Sequence, residues 1–304
     1  MSMRITDSMT SRSTLRDLQG DLNSVSDTME RASSGRRINK PSDDPYGASR
    51  TLELSGELDG LGQYQDNVSD GSAWLNATSS ALGSLNDILQ RARELVVGAG
   101  NDTDGPEGRE ASADEIQQLI DSVKQEANTQ YAGSYIFSGT ATNTPPYQSG
   151  ANDAFAGNTG TISRVIGQNV SVPVNTDISG VVGQGNAAGD NGVLDTLEDI
   201  VTDLRGGTDA NADNLRGTDL QRLDDNMDKL NQVVADVGAR MNRLTTAGTR
   251  ITNLQENTTR ILSDTRDADY AQTLTDYSTQ EAAYSAALQM GGRLIQNSLL
   301  DFLN

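Results

Sequence analysis

The chain contains no cysteine and no histidine in 304 residues. Together these absences remove disulfides, thiol nucleophiles, imidazole general bases and the commonest zinc ligands. Lack of cysteine does not by itself reveal a compartment, because disulfide-free proteins work both inside and outside cells. Aromatic residues are scarce as well, at 4% with a single Trp, against 35% hydrophobic residues. The length allows roughly two or three domains, yet bulky core residues are thin, which fits extended helical packing better than a compact enzyme. Basic residues are outnumbered 43 to 23, for a net charge of -20 and a pI near 4.2. Nucleic-acid backbones and anionic membranes would repel such a surface, so neither is an expected partner. The acidity either keeps an association-prone chain soluble until its partner is present or reflects a salty habitat. No stretch approaches the roughly 18 uninterrupted apolar residues of a membrane span. Met1 to Leu22 lacks the basic region, apolar run and small-residue cleavage site of a secretory signal, so export is expected to need another route.

What the chain does have is helical periodicity. Leu15, Leu18, Leu22, Val25, Met29 and Ala32 alternate steps of three and four, the spacing of a coiled-coil seam. The stripe ends at Ser33-Ser34-Gly35, where glycine suits a helix C-cap. Arg36 to Pro45 carries two prolines and the pair Asp43-Asp44, predicting an extended or turned segment before a helix near Ala48. Leu82, Leu85, Leu89, Ala92, Val96 and Ala99 form a second stripe, broken by Gly100 to Gly108. Ile116, Ile120, Val123 and Ala127 then restart a helix that is expected to run back antiparallel. From Gly133 to Gly192 the composition turns to Gly, Asn, Thr and Pro, with short β segments at Tyr135-Ile136-Phe137, Ile162 to Ile166 and Val170 to Val174. Helical pattern resumes at Leu194, Leu197, Val201 and Leu204. A long stripe follows at Leu223, Met227, Leu230, Val234, Val237, Met241, Leu244, Gly248 and Ile251. After Asp264 to Asp269 a last helix carries Leu288, Ile295, Leu299 and Phe302.

The layout is symmetrical and implies pairing of the two halves, since every amphipathic stripe needs an apolar partner. The expected fold is mainly α: an elongated nested helical rod with N- and C-terminal helices paired as a coiled coil, plus a small, mainly β central insertion. The expected divisions are 1–42 with 263–304, 43–132 with 193–262, and 133–192. The inner stripes read as an internal bundle core. The terminal stripes are compatible with packing within one subunit or between subunits, because a two-helix pair leaves apolar surface uncovered.

Searches for chemistry find little. Asp43 and Asp44 are adjacent and point in different directions, so a turn and helix N-cap suit them better than acid-base or metal work. Asn101-Asp102-Thr103-Asp104-Gly105 superficially matches a calcium loop, but aligning Gly105 with the turn glycine places Gly100 and Ala111 at the end ligand positions. Gly183-Gln184-Gly185 lacks the glycine placement and strand-helix context of a dinucleotide turn. Asp264, Asp267 and Asp269 suit a helix N-terminus better than calcium. Trp74 is expected to anchor the inner bundle. No catalytic residue, cofactor or metal is expected.

The segment Ser33-Ser34-Gly35-Arg36-Arg37-Ile38-Asn39-Lys40-Pro41-Ser42-Asp43-Asp44-Pro45 resembles the N-terminal signature shared by flagellins and hook-associated proteins. Its Pro-Ser-Asp-Asp-Pro ending looks more like the hook-filament junction family, hook-associated protein 3, than like filament flagellin. Tyr135-Ile136-Phe137-Ser138-Gly139 with Thr142-Asn143-Thr144-Pro145-Pro146, and the ending Ser298-Leu299-Leu300-Asp301-Phe302-Leu303, resemble the same family. The resemblance covers both ends and the inner helices but nothing specific between roughly Gly150 and Gly192. It implies a structural adaptor, not an enzyme, joining the preceding hook-associated protein to flagellin and self-associating in a ring. It also implies export through the flagellar type III channel, a location on the extracellular flagellum, and a cytoplasmic chaperone for the C-terminal region. The assembly interface is then expected at Leu15, Leu18, Leu22, Val25, Met29, Leu288, Ile295, Leu299 and Phe302. The nearest rival is filament flagellin itself; a secreted carboxylate-dependent hydrolase is a rival from another class.

Overall fold

Helices account for most of the computed structural model, which describes residues 7–100, 105–148, 154–185 and 189–303, with the side chains of 7, 8, 10, 11 and 293–303 outside the description. In chain order they are α1 (Asp7–Ser34), α2 (Pro45–Ala99), α3 (Pro106–Ala127), α4 (Ser179–Val182), α5 (Val193–Gly206), α6 (Asp209–Asn214), α7 (Leu220–Arg266) and α8 (Tyr270–Leu303). Four short strands lie between α3 and α4: β1 (Gln130–Tyr131), β2 (Ser134–Tyr135), β3 (Ser163–Gly167) and β4 (Val170–Pro173). No described helix is long and apolar enough to cross a membrane. The chain divides into two compact units, residues 61–253 and residues 1–60 with 254–304.

The unit 61–253 holds one dense apolar core. Leu82, Leu85, Leu89, Ala92 and Val96 of α2 are buried, as are Ile116, Ile120 and Val123 of α3, so the three-four spacing of both segments faces inward. Arg91 reaches Glu115 at 2.7 Å, which fixes α2 and α3 as antiparallel neighbours. Within this unit α7 also runs antiparallel to α2. A Cβ on Gly71 would lie 3.2 Å from Leu244, one on Gly248 would lie 3.3 Å from Val68, and Arg93 pairs with Asp224 at 2.7 Å. The α7 stripe is buried at Leu223, Leu230, Val237, Leu244 and Ile251, but Val234 is exposed and the adjacent Val233 packs on the core instead. The buried side chains of α7 repeat every seven residues, so Val233, three after Leu230, faces the core and Val234, four after it, does not.

Trp74 is buried edge-on to Tyr131, with ring centroids 5.8 Å apart, and so anchors this bundle as expected. β1 and β2 form a hairpin through Ala132 and Gly133, both at positive φ, the geometry of a type I′ turn. The segment Tyr135-Ile136-Phe137 is strand only at Tyr135; Ile136 and Phe137 continue as irregular chain with both side chains fully buried. The apolar pattern recorded burial there, not pairing. β3 and β4 form a second antiparallel hairpin, tied to α2 by Arg164 to Asp70 at 2.6 Å and by Asn67 Nδ2 donating to the Val165 carbonyl at 2.7 Å. Between the hairpins the chain is pinned at Tyr147, which is fully buried. Its amide donates to Asn128 Oδ1 at 3.0 Å, its carbonyl accepts from Asn128 Nδ2 at 2.7 Å, and its hydroxyl donates to the Gly183 carbonyl at 2.6 Å.

The other unit is built differently. Its buried apolar side chains, among the described residues, are Ile38, Leu54 and Leu262, and Thr28, Thr258 and Thr273 are buried polar side chains of the same unit. α1 and α8 pair antiparallel, with Thr28 Oγ1 donating to Gln280 Oε1 at 2.6 Å near one end. Near the other, a Cβ on Gly291 would meet Leu18 and Thr14 methyls at 3.4 Å.

Candidate assembly site

The signature segment between α1 and α2 is a folded turn held by backbone and carboxylate hydrogen bonds. Gly35 closes α1 at φ 67°, its amide donating to the Arg31 carbonyl at 2.9 Å, in the left-handed conformation that glycine adopts without steric cost. The chain then runs beside the α7–α8 junction. The Arg37 amide donates to the Arg266 carbonyl at 2.7 Å, the Ala268 amide donates to the Gly35 carbonyl at 3.0 Å, and the Arg37 guanidinium donates to the Thr265 carbonyl at 2.7 Å. These bonds tie the two ends of the chain at one point.

The paired carboxylates divide the rest of the turn. Asp43 Oδ2 accepts from the amides of Lys40 at 2.9 Å and Asn39 at 3.0 Å. Those two donors hold its carboxyl below the ordinary aspartate value. Asp44 Oδ1 accepts from the Gly47 amide at 2.9 Å and so caps α2, whose first residue is Pro45. The Gly47 amide foremost, with Arg37 beside it at 3.4 Å, lowers the Asp44 carboxyl too. Lys40 bonds Glu30 at 2.7 Å, which raises the Lys40 ammonium above its ordinary value. Gly47 is closely packed: a Cβ there would lie 2.5 Å from both Asp44 Oδ2 and Ile38 Cδ1, so the capping carboxylate or the Ile38 side chain would have to shift. At the start of α8, Asp269 Oδ1 accepts from the Gln272 amide at 3.1 Å, a helix cap, and Asp267 pairs with Arg266 at 2.9 Å. Among the described residues no acidic group has the arrangement of a metal site; residues 101–104 of the candidate calcium loop lie outside the described residues.

The decisive geometry is the register of α1 on α8. The positions of α1 that α8 shields are Thr14, Leu18, Asp21, Val25, Thr28 and Ala32; those of α8 are Thr273, Tyr277, Gln280, Tyr284, Ala287 and Gly291. Both sets step four-three-four-three-four, the a/d seam of a coiled coil. Leu18, Val25 and Ala32 take the a positions on α1, but the d positions are the polar Thr14, Asp21 and Thr28. Leu15, Leu22 and Met29 therefore fall at the flanking e positions, and they are 55%, 48% and 58% exposed. On α8 the equivalent e positions include Leu274 and Leu288, 42% and 47% exposed. In an antiparallel pair the e positions of both helices lie on the same side of the seam. The pair thus presents one apolar flank built from both ends of the chain.

The sequence stripe at Leu15, Leu18, Leu22, Val25 and Met29 is consequently split. Leu18 and Val25 are half-buried against α8, while Leu15, Leu22 and Met29 face outward, as does Leu288. The side chains of Ile295, Leu299 and Phe302 lie outside the described residues. Sequence reasoning passed over the α8 seam because Thr273, Gln280, Ala287 and Gly291 are polar or small; only their four-three spacing, with Tyr277 and Tyr284, marks it.

Comparison with known proteins assigns both ends of the chain. Residues 5–142 match the bacterial flagellin N-terminal helical region, and residues 220–303 match the bacterial flagellin C-terminal helical region. The chain belongs to the flagellin superfamily. As a member it is a structural component of the bacterial flagellum. It is 28% identical over 301 residues to a flagellin of Bacillus subtilis, covering 95% of each chain. It is 35% identical over 127 residues to a flagellin of Clostridium tyrobutyricum, spanning 34% of that longer protein. Among solved structures, a putative flagellar hook-associated protein from Vibrio parahaemolyticus aligns with a TM-score of 0.67 at 22% identity, over 74% of this chain and all of that one. Flagellar hook-associated protein 3 from Legionella pneumophila aligns with a TM-score of 0.62 at 16% identity, over 70% of this chain and 98% of that one. The superfamily fold therefore extends through the inner helices as well as the ends.

Proposed function

We propose that this flagellin-superfamily chain is the adaptor of the hook-filament junction. In this reading it adds as a ring after the preceding hook-associated protein and presents the surface on which flagellin polymerises. The observation that carries the assembly role is the half-covered stripe of α1. Helix α8 shields its a positions and leaves Leu15, Leu22 and Met29, joined by Leu274 and Leu288, to be covered by another subunit. An apolar face of this kind is a cost in an isolated chain and a driving force in an assembly. The junction position is supported by the Pro41-Ser42-Asp43-Asp44-Pro45 turn and by the fold shared with hook-associated proteins. Export through the type III channel belongs to the same reading of the chain as a flagellar component. A cytoplasmic chaperone that covers the C-terminal helix until export would shield Leu288, with Ile295, Leu299 and Phe302 further along the same helix.

Filament flagellin is the second reading, favoured by the full-length match to the Bacillus subtilis flagellin. Immunogold electron microscopy of intact flagella, with antibody to residues 133–192, separates the two. A single band between hook and filament is expected. Label along the whole filament would make the chain a flagellin, and absence of flagellar label would overturn both readings.

A further inference from the structure

The link from α4 to α5 ends in Asn191-Gly192, the one Asn-Gly pair in the sequence. Geometry calls for both residues. Asn191 has a φ of 55°, a left-handed conformation that asparagine tolerates better than most residues with a side chain. Gly192 lies against the backbone of Gly183, where an added Cβ would come within 2.5 Å of the Gly183 Cα and 2.8 Å of its nitrogen. Backbone does not step aside as a flexible side chain does. The fold therefore places here the dipeptide with the least steric protection against asparagine cyclisation, in which the following amide nitrogen attacks the side-chain carbonyl carbon. The Asn191 side chain is exposed, so solvent base and water reach it.

The same structure restrains that reaction. The attacking amide must be free to turn on Asn191 Cγ, but the Gly192 amide is buried and donates to Asp190 Oδ1 at 2.9 Å. Asp190 Oδ2 accepts from the Gln184 amide at 2.6 Å, so one carboxylate straps both sides of the link. The Asn191 amide donates to Asp195 Oδ2 at 3.1 Å, and its carbonyl accepts at 3.1 Å from Nδ2 of the fully buried Asn226. We propose that Asn191 is a modification site kept latent in the folded chain by the hold of Asp190 on the Gly192 amide, and that it deamidates when this link opens. In the step, the Gly192 nitrogen bonds to Asn191 Cγ and gives up its proton, the side-chain nitrogen leaves as ammonia, and water opens the resulting succinimide to aspartate or isoaspartate. Either product puts a further carboxylate between Asp190 and Asp195. Isoaspartate also routes the main chain through the former side chain, which turns the carbonyl that Asn226 holds into a free carboxylate. The product thus records time spent with the link open, since local opening governs access to the reaction.

The test incubates the full-length chain in mildly alkaline buffer, folded and in urea, and follows the peptide containing residue 191 by mass spectrometry for replacement of the amide by a hydroxyl. Enzymatic methylation of isoaspartate is the second readout. Asn191 is expected to deamidate in urea and to stay largely intact in the folded wild type. Asp190→Ala removes a hydrogen bond to a charged acceptor, so deamidation of the folded chain is expected to rise roughly tenfold with unchanged circular dichroism. Asn169, also at positive φ but followed by Val170, is expected to stay intact in the same samples. Asp190→Asn keeps a neutral acceptor and is expected to give a smaller rise, and it serves if the alanine variant does not fold. Equal rates in folded and urea-unfolded wild type, or folded Asp190 variants that deamidate as slowly as wild type, would overturn the proposal.

Discussion

Replacing Leu15, Leu22 and Met29 together by glutamine tests the assembly face at its most exposed part. Glutamine is close to leucine and methionine in helix propensity, so α1 itself is little disturbed. All three side chains already have about half their surface in water. Complete burial of a large apolar side chain is worth about 1.5–3 kcal/mol, so covering the remaining half contributes about 1 kcal/mol at each position. The triple variant is then expected to weaken each subunit contact by about 3 kcal/mol, roughly a hundredfold in association. The isolated chain is expected to change by no more than about 0.5 kcal/mol per site, the usual range for exposed positions.

The assay supplies the variant to cells lacking the wild-type copy, quantifies its incorporation into sheared flagella by immunoblot, and compares far-UV circular dichroism of the purified chains. Loss of incorporation with unchanged helicity is the expected outcome. Incorporation at wild-type amounts would refute the reasoning, and loss of helicity in the monomer would show that the three residues support the α1–α8 pair instead. Leu18→Gln with Val25→Gln is the complementary control. These residues lie on the seam shielded by α8, so that variant is expected to lose monomer helicity.

Two further predictions concern polar anchors. Tyr147→Phe removes the hydroxyl that donates to the Gly183 carbonyl and leaves that buried acceptor unpaired, so thermal denaturation is expected to show a loss of about 1–2 kcal/mol. Asp43 and Asp44 have folded values below the ordinary aspartate value, so they stabilise the signature turn above that pH and cease to do so as pH falls through their lowered values. Acid titration followed by amide exchange at residues 36–47 is expected to show this protection disappear, and Asp44→Ala, which also removes the α2 cap, is expected to lose it at neutral pH.

Much of the fold was readable because long helices write their buried faces directly into the spacing of leucine, isoleucine and valine. Leu82 to Val96 and Ile116 to Val123 are buried as their periodicity implies. Val234 and the segment Tyr135-Ile136-Phe137 depart for local reasons: the heptad of α7 turns Val233 inward in place of Val234, and Ile136 and Phe137 are buried without strand pairing. At the candidate site, Leu15 to Ala32 lie on one helix, but the spacing along a single helix cannot say which neighbour covers which part of it. That depended on α8, whose shielded positions are threonine, tyrosine, glutamine, alanine and glycine and leave little hydrophobic signal.

The two units differ in what can stabilise them. Residues 61–253 bury a continuous apolar core, with Leu75, Leu82, Leu89, Ile116, Ile120, Phe137, Tyr147, Leu194 and Leu197 all effectively excluded from water. At about 1.5–3 kcal/mol for each large apolar side chain, such a core can offset the ordering of its own backbone. Among the described residues the α1–α8 pair has a thinner supply: half-buried Leu18 and Val25, polar d positions on α1, and Ala287 and Gly291 on the α8 seam. A long two-helix pair with so little buried area is expected to open at a free-energy cost well below that of the core unit. Its weakness and its exposed flank have the same origin, because the residues that would have strengthened the internal seam are the ones turned outward. Covering Leu15, Leu22, Met29, Leu274 and Leu288 supplies the missing burial, so the ends of the chain are expected to gain stability when subunits meet.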